Sequence, residues 1–158
     1  MSDGARWGKL SLHWLKEEFM ADNDNGNGLT PEGNEFLQVS GLQVEELSGT
    51  KVRGFIDLDG RHHTPWGVVH GGVYATAVES AASLGASAAV EEREQFAVGL
   101  NNSTDFLRPM TEGRVEVVAE PIMQGKSQQL WQVIITRAED GKEVARGQLR
   151  LQNIPLPS

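Results

Sequence analysis

The sequence predicts an α+β domain in which one long helix is carried by an antiparallel meander of about five strands. Three observations predict it. Residues 71–90, GGVYATAVESAASLGASAAV, form an unbroken run of small residues, long enough for about five helical turns and holding a single charge, Glu79. Residues 37–58 read as strand, with apolar and polar side chains alternating at period two in their second half. The last third breaks into four strand-like segments separated by turn signals, the sharpest being Asp140-Gly141.

The elements follow in order. Residues 5–20 predict an amphipathic helix with Leu10, Trp14 and Leu15 on one side and Lys16, Glu17 and Glu18 toward water. The Asn- and Gly-rich stretch ADNDNGNGLTPEGNEF is polar loop, with a short turn near Pro31–Glu35. Residues 1–36 are therefore read as an N-terminal helix and loop, and residues 37–158 as the domain proper. Within the latter, Val52, Gly54, Ile56 and Leu58 share one strand face, opposite Lys51, Arg53 and Asp57. RHHTPWG is loop leading into the central helix. Strands are predicted over 95–107, ended by Arg108-Pro109, then over 114–121, 128–138 and 142–153, with NIPLPS stopping structure.

Composition narrows the function classes. A chain of 158 residues, 39% hydrophobic and 23% charged, is long enough for one well-packed core. Its net charge of −8 and pI near 5.0 disfavour a nucleic-acid surface, which needs a basic footprint, and no polybasic segment offers itself to an anionic membrane. Cysteine is absent, which removes disulfides and thiolate chemistry. The opening MSDGARWGKLSLHWLKEEFM carries no apolar stretch of the secretory kind, so a cytoplasmic location is expected. The 71–90 run approaches the length of a membrane span, but its Ala, Ser, Gly and Glu79 suit a buried helix of a water-soluble fold better.

Glu79 is the residue that asks for an explanation. A surface helix would carry many charges and a purely structural core helix none. Gly71-Gly72 opens the helix, where the first N–H groups lack intrahelical acceptors and the helix dipole favours negative charge. Such a helix start can polarise a carbonyl or hold an oxyanion. Thr76 and Ser83 stand three residues before and four after Glu79, so the three line one polar stripe, and Ser83 can orient the carboxylate or a water. A helix-end donor and a carboxylate on one helix read as a compact acyl-transfer site. The bland alternative is structural: a turn glycine pair, and a carboxylate paired with an Arg across a subunit contact.

Other motifs carry less. His62, His63 and His70 fit no zinc spacing, and no metal is expected. His70 is expected to fix the loop ahead of the helix by a backbone hydrogen bond, and it also stands among the candidate catalytic residues as a side chain that can touch substrate. Read as a calcium loop, NDNGNGLTPEGNE has Asn34 at the position that needs a bidentate Glu. Trp7 and Trp14 read as packing residues.

The stretch Trp66-Gly-Val-Val-His-Gly-Gly-Val-Tyr-Ala-Thr-Ala-Val-Glu79 resembles the G-x-x-H-G-G…(E/D) signature of hotdog-fold acyl-CoA thioesterases. A second block, AVGLNNSTDFLRP (97–109), is similar to the strand that follows the central helix in the phenylacetate-pathway and Arthrobacter-type 4-hydroxybenzoyl-CoA thioesterase branch. The resemblance covers about residues 40–153. It implies an antiparallel sheet wrapped around the long helix, a dimer with a continuous sheet or a dimer of dimers, and active sites at the dimer interface. It implies that Glu79 is nucleophile or general base, that the Gly71 amide, helped by Gly72, polarises a thioester carbonyl, and that Ser83 is a helper hydroxyl. Arg108, Lys126 and Ser127 fall where that branch contacts coenzyme A. Thr64 stands where relatives usually carry an Asn or Gln that holds the carbonyl or water; Thr64 itself, His62 or His63 would have to take that part. The expected activity is hydrolysis of an acyl- or aroyl-CoA without metal or redox cofactor. The alternatives are a hotdog CoA hydratase or dehydratase and a non-catalytic acyl-CoA binding module.

Overall fold

The computed structural model describes residues 35–156. The amphipathic helix predicted at 5–20 and most of the Asn-rich loop lie outside the described residues. The chain opens with a short helix, α1 (Glu35–Ser40), followed by β1 (Gln43–Leu47) and β2 (Val52–Leu58). The long helix α2 (Gly71–Ala88) follows, and then β3 (Gln95–Phe106), β4 (Gly113–Gln124), β5 (Gln128–Arg137) and β6 (Glu143–Pro155). The strands form one six-stranded antiparallel sheet in the order β1-β2-β4-β5-β6-β3, with α2 packed on one face. This is the hotdog arrangement: a sheet wrapped around a central helix.

Most elements form where the sequence pattern puts them, and the departures have local causes. Residues 37–40, expected as strand, are helical: Gly41 adopts φ +77° and its N–H reaches the carbonyls of Leu37 and Gln38, a left-handed glycine stop. β4 does not end at Pro121 but runs on to Gln124, with a register shift between Pro121 and Met123 that absorbs the missing N–H. β6 likewise continues through Asn153-Ile154-Pro155, because the start of β3 pairs with it, Gln95 opposite Pro155. The Glu139–Lys142 hairpin is as expected, with Gly141 at φ +70°.

The core explains the small-residue character of α2. Tyr74, Ala77, Val78, Ala81, Ala82 and Gly85 turn toward the sheet at helical spacing. They meet the inward faces of β2, β4, β5 and β6, where Val52, Ile56, Val117 and Trp131 are buried. Trp131 is fully buried and its ring stands where a Cβ on Gly85 would be, 2.4 Å from Cη2, so the bulk comes from the sheet and the space from the helix. Gln129, Trp131 and Asn153 form a buried polar network. The Trp131 Nε1–H donates to Gln129 Oε1 at 2.9 Å, and the Gln129 amide donates to the Ala86 carbonyl and to Asn153 Oδ1, both at 2.8 Å. Every buried polar atom there has a partner, as a low-dielectric interior demands.

Candidate active site

The site is built at the junction of α2 with the edge strand β3. His70 caps α2: its backbone is extended and its Nδ1 accepts the Gly72 N–H at 2.8 Å. An imidazole that accepts at Nδ1 carries its proton at Nε2 when neutral, so His70 presents an N–H donor beside the helix start. The Gly71 N–H has no acceptor among the described residues and remains available at the positive end of the helix dipole. Phe106, at the end of β3, packs against the α-carbon of Gly71; a Cβ there would stand 2.7 Å from its ring carbons. Gly71 is thus required by close approach rather than by its turn.

Glu79 is half-buried two turns further along and is the single charge of α2. Its carboxylate is held by β3. Oε2 accepts from the Asn102 side-chain amide at 3.2 Å, and the same nitrogen donates to the Ala75 carbonyl at 3.0 Å. Thr104 donates to Asn102 Oδ1 at 2.6 Å. Oε1 lies over Gly99, where a Cβ would stand only 2.2 Å away. β3 shifts register against β6 between Gly99 and Asn101, so Leu100 is an extra residue with no partner in the ladder.

The remaining predicted site residues are placed as follows. Ser83 is half-buried one turn beyond Glu79, on the same stripe as Thr76. Thr64 is committed to its own loop: its N–H and hydroxyl both donate to the Val68 carbonyl, at 2.7 and 3.1 Å, while Gly67 N–H returns to the Thr64 carbonyl. Thr64-Pro-Trp-Gly67 is a tight turn with Pro second and Gly67 at φ +76°, and it leaves the Trp66 indole 84% exposed at its tip. His63 holds the Thr111 carbonyl through Nε2 at 2.6 Å, and buried His62 accepts the Asp59 N–H at Nδ1. Among the described residues no three His, Asp or Glu side chains gather into a metal-binding set.

Two groupings expected from the sequence are not assembled within one chain. Gly71 and Glu79 are eight residues apart on one helix, about 12 Å along its axis, so they cannot both reach one carbonyl carbon. The expectation of a compact site on a single helix is corrected by that rise. Arg108 lies beyond β3, its N–H bonded to the Val144 carbonyl and its guanidinium donating to the Glu143 carbonyl. Lys126 and Ser127 sit in the β4–β5 turn, which is bonded to Asn153 at the other end of β6. Nine residues of strand separate these anchor points, about 30 Å.

Sequence reasoning missed Gly99, Asn102, Thr104 and Phe106. The signal was present: Asn102 and Thr104 are polar residues spaced two apart on the strand face that looks toward the helix, where an apolar pair would be the default. Only the bulge after Gly99 decides that this face, and not the other, turns inward.

With this geometry in view, comparison with known proteins is decisive for the family. The thioesterase superfamily is matched over residues 67–144, the segment that holds α2, β3, β4 and β5. A Mycobacterium tuberculosis protein that carries a provisional esterase name is 45% identical over 116 residues, 72% of this chain and 82% of that relative. Its solved structure superposes with a TM-score of 0.74 at 42% identity, covering 78% of this chain and 98% of that one. A crystallised Haemophilus influenzae thioesterase gives a TM-score of 0.73 at 31% identity over 80% of this chain and 87% of its own. The 1,4-dihydroxy-2-naphthoyl-CoA thioesterase 2 of Arabidopsis thaliana is 36% identical over 118 residues, 70% of this chain and 73% of that one. The chain belongs to the thioesterase superfamily and is a hotdog-fold thioester hydrolase.

Proposed function

We propose that the substrate is an acyl- or aroyl-CoA thioester, released as free acid and CoA, and that Glu79 carries the chemistry. The observation that supports this most directly is the carboxylate itself: the one charge of a buried helix, half-exposed, with Oε2 tied to β3 and Oε1 over Gly99 without a hydrogen-bond partner among the described residues. The thioester carbonyl would rest against the Gly71 N–H, with the His70 Nε2–H beside it, where developing negative charge is favoured by the helix dipole. Glu79 then takes a proton from water as the water oxygen attacks the carbonyl carbon, or attacks that carbon itself. Collapse of the tetrahedral intermediate breaks the C–S bond and the thiolate leaves, to be protonated as CoA.

Because one helix holds Gly71 and Glu79 about 12 Å apart, the working site takes Glu79 from one chain and Gly71 from a second. β3 is the natural seam. It is a twelve-residue terminal strand whose outer edge is unpaired among the described residues, and Leu100 and Phe106 are at least half exposed on it. Isolated proteins rarely leave such an edge open. A dimer joined at β3, giving a continuous sheet, covers it, and a dimer of dimers is the further assembly the family resemblance implies. The same pairing answers the separation of Arg108 from Lys126 and Ser127, which as coenzyme A contacts would come from different subunits; basic groups suit its phosphates on an otherwise acidic chain. Ser83 is assigned the helper hydroxyl. The aroyl side of the substrate class is favoured by the similarity of residues 66–79 and 97–109 to aroyl- and phenylacetyl-CoA thioesterases, and by the naphthoyl-CoA thioesterase among the relatives. Residues 37–158 form the hotdog unit in this reading, with residues 1–36 an appendage, and the protein acts in the cytoplasm.

Thiol release from a panel of acyl- and aroyl-CoAs, by the native chain and by Glu79→Gln, tests the reading. Turnover on at least one member, falling about 100-fold or more in the variant, is expected. Equal turnover in the variant removes Glu79 from the chemistry; tight ester binding without any turnover makes the chain a binding module.

A further inference from the structure

We propose that Asn102 is the positioning residue of Glu79: its amide selects which carboxylate oxygen is anchored and which is presented to the thioester. The inference rests on the role given to Glu79 above. Three contacts fix the amide's orientation. The nitrogen faces two acceptors, the Ala75 carbonyl at 3.0 Å and Glu79 Oε2 at 3.2 Å, and the oxygen faces the Thr104 hydroxyl at 2.6 Å. A flipped amide would set its oxygen against a carbonyl and a carboxylate, three acceptors together, and would leave the hydroxyl to adapt. Thr104 has its place because residue 147 on β6 is glycine: a Cβ there would stand 2.8 Å from Thr104 Oγ1 and 2.8 Å from Val78. A chain of contacts therefore runs from β6 through Thr104 and Asn102 to the carboxylate.

The consequence is an asymmetric carboxylate. Oε2 has its lone pair engaged by the amide, whereas Oε1 lies over the bare Cα of Gly99 with no hydrogen-bond partner among the described residues. Oε1 is the oxygen free to take a proton from water or to attack carbon. A glutamate on a helix has several staggered rotamers, and solvent would sample them; anchoring one oxygen to the backbone-locked amide removes that freedom before substrate arrives. Asn102 touches no reacting atom in this arrangement and acts only through Glu79.

The test is a double-mutant cycle on the full chain with the CoA ester it turns over best, using Glu79→Gln, Asn102→Ala, Asn102→Asp and the double variant E79Q/N102A. Asn102→Ala is expected to lower kcat about 10- to 100-fold with KM changed less than about threefold, as misplacing a reacting group does. The same change in the Glu79→Gln background is expected to have almost no further effect. Asn102→Asp keeps the volume but replaces the donor by an acceptor, so it is expected to be at least as slow as Asn102→Ala. Recovery of activity in Asn102→Asp, additive losses in the cycle, or a kcat for Asn102→Ala within twofold of native each overturn the proposal. If Asn102→Ala does not fold, Thr104→Val decides: it removes the hydroxyl that orients the amide, and an unchanged kcat there overturns the proposal too. A Glu79→Gln that loses nothing removes the reading of Glu79 itself; a Glu79→Gln that loses activity beside an unaffected Asn102→Ala removes only the positioning role.

Discussion

Gly99 and the carboxylate of Glu79 occupy adjoining space: a Cβ on Gly99 would stand 2.2 Å from Oε1 and 3.2 Å from the carboxyl carbon. The neighbour displaced by such a Cβ is the far end of a flexible side chain, so the fold can accommodate it while the carboxylate turns away. Gly99→Ala is therefore expected to cost kcat about tenfold or more, yet to melt within a few degrees of the native protein. Steady-state kinetics beside a thermal melt decide it. Retained kcat would show that Oε1 need not lie where the structure puts it.

A second glycine makes the opposite prediction. A Cβ on Gly85 would stand 2.4 and 2.5 Å from the ring of Trp131, which is fully buried and tied by its N–H to Gln129. Alanine would add about 1 kcal/mol of helix propensity, but overpacking a close-packed core costs about 1–3 kcal/mol. With a rigid ring this close, the cost should prevail. Gly85→Ala is expected to lower the melting temperature by several degrees, whereas Gly60→Ala, with nothing within 4 Å, should leave it unchanged. A rise for Gly85→Ala would mean that Trp131 has room to move.

Tyr74 is the one tyrosine in the sequence and reports on the helix start. Its hydroxyl is buried without a hydrogen-bond partner among the described residues, and burial pushes the phenol up to about 12 although the Arg137 charge pulls it down. The native state thus keeps a proton that the unfolded chain gives up near pH 10. Stability should be unaffected by this group below about pH 10 and fall as pH climbs from there toward 12. Alkaline ultraviolet titration of the native protein should show tyrosinate appearing near pH 12. Tyr74→Phe should flatten the alkaline loss of stability and, having removed an unpaired buried hydroxyl, cost little at neutral pH. An ordinary tyrosine titration near pH 10 in the folded protein would contradict this account of its surroundings.

Much of the fold was legible because its cues are local. The period-two alternation of Val52, Gly54, Ile56 and Leu58 appears intact as the buried face of β2. The helix at 71–90 is found at Gly71–Ala88, opened by the His70 cap. Glu79 stood out because a lone carboxylate on a run of small residues breaks a local rule, and such breaks mark sites. Residues 37–40 were misread because Leu37 and Val39 suit a strand as well as a helix, and the Gly41 stop decides between them only once its φ is known. Pro121 and Pro155 suggested strand ends, but a bulge and the end of a strand each accommodate a proline.

By itself, then, the sequence determined the class, the long buried helix with its single carboxylate and the four strands that follow it, since each depends on residues within a turn or two of one another. Tertiary structure alone decided what surrounds that carboxylate. Asn102 lies 23 residues from Glu79, and it meets it only because β3 returns along the sheet edge and shifts register after Gly99. The same long-range geometry joins Gln129 to Asn153 and sets Arg108 apart from Lys126. Periodicity tells which face of an element is buried, but only chain topology and strand register tell which side chain from elsewhere waits there.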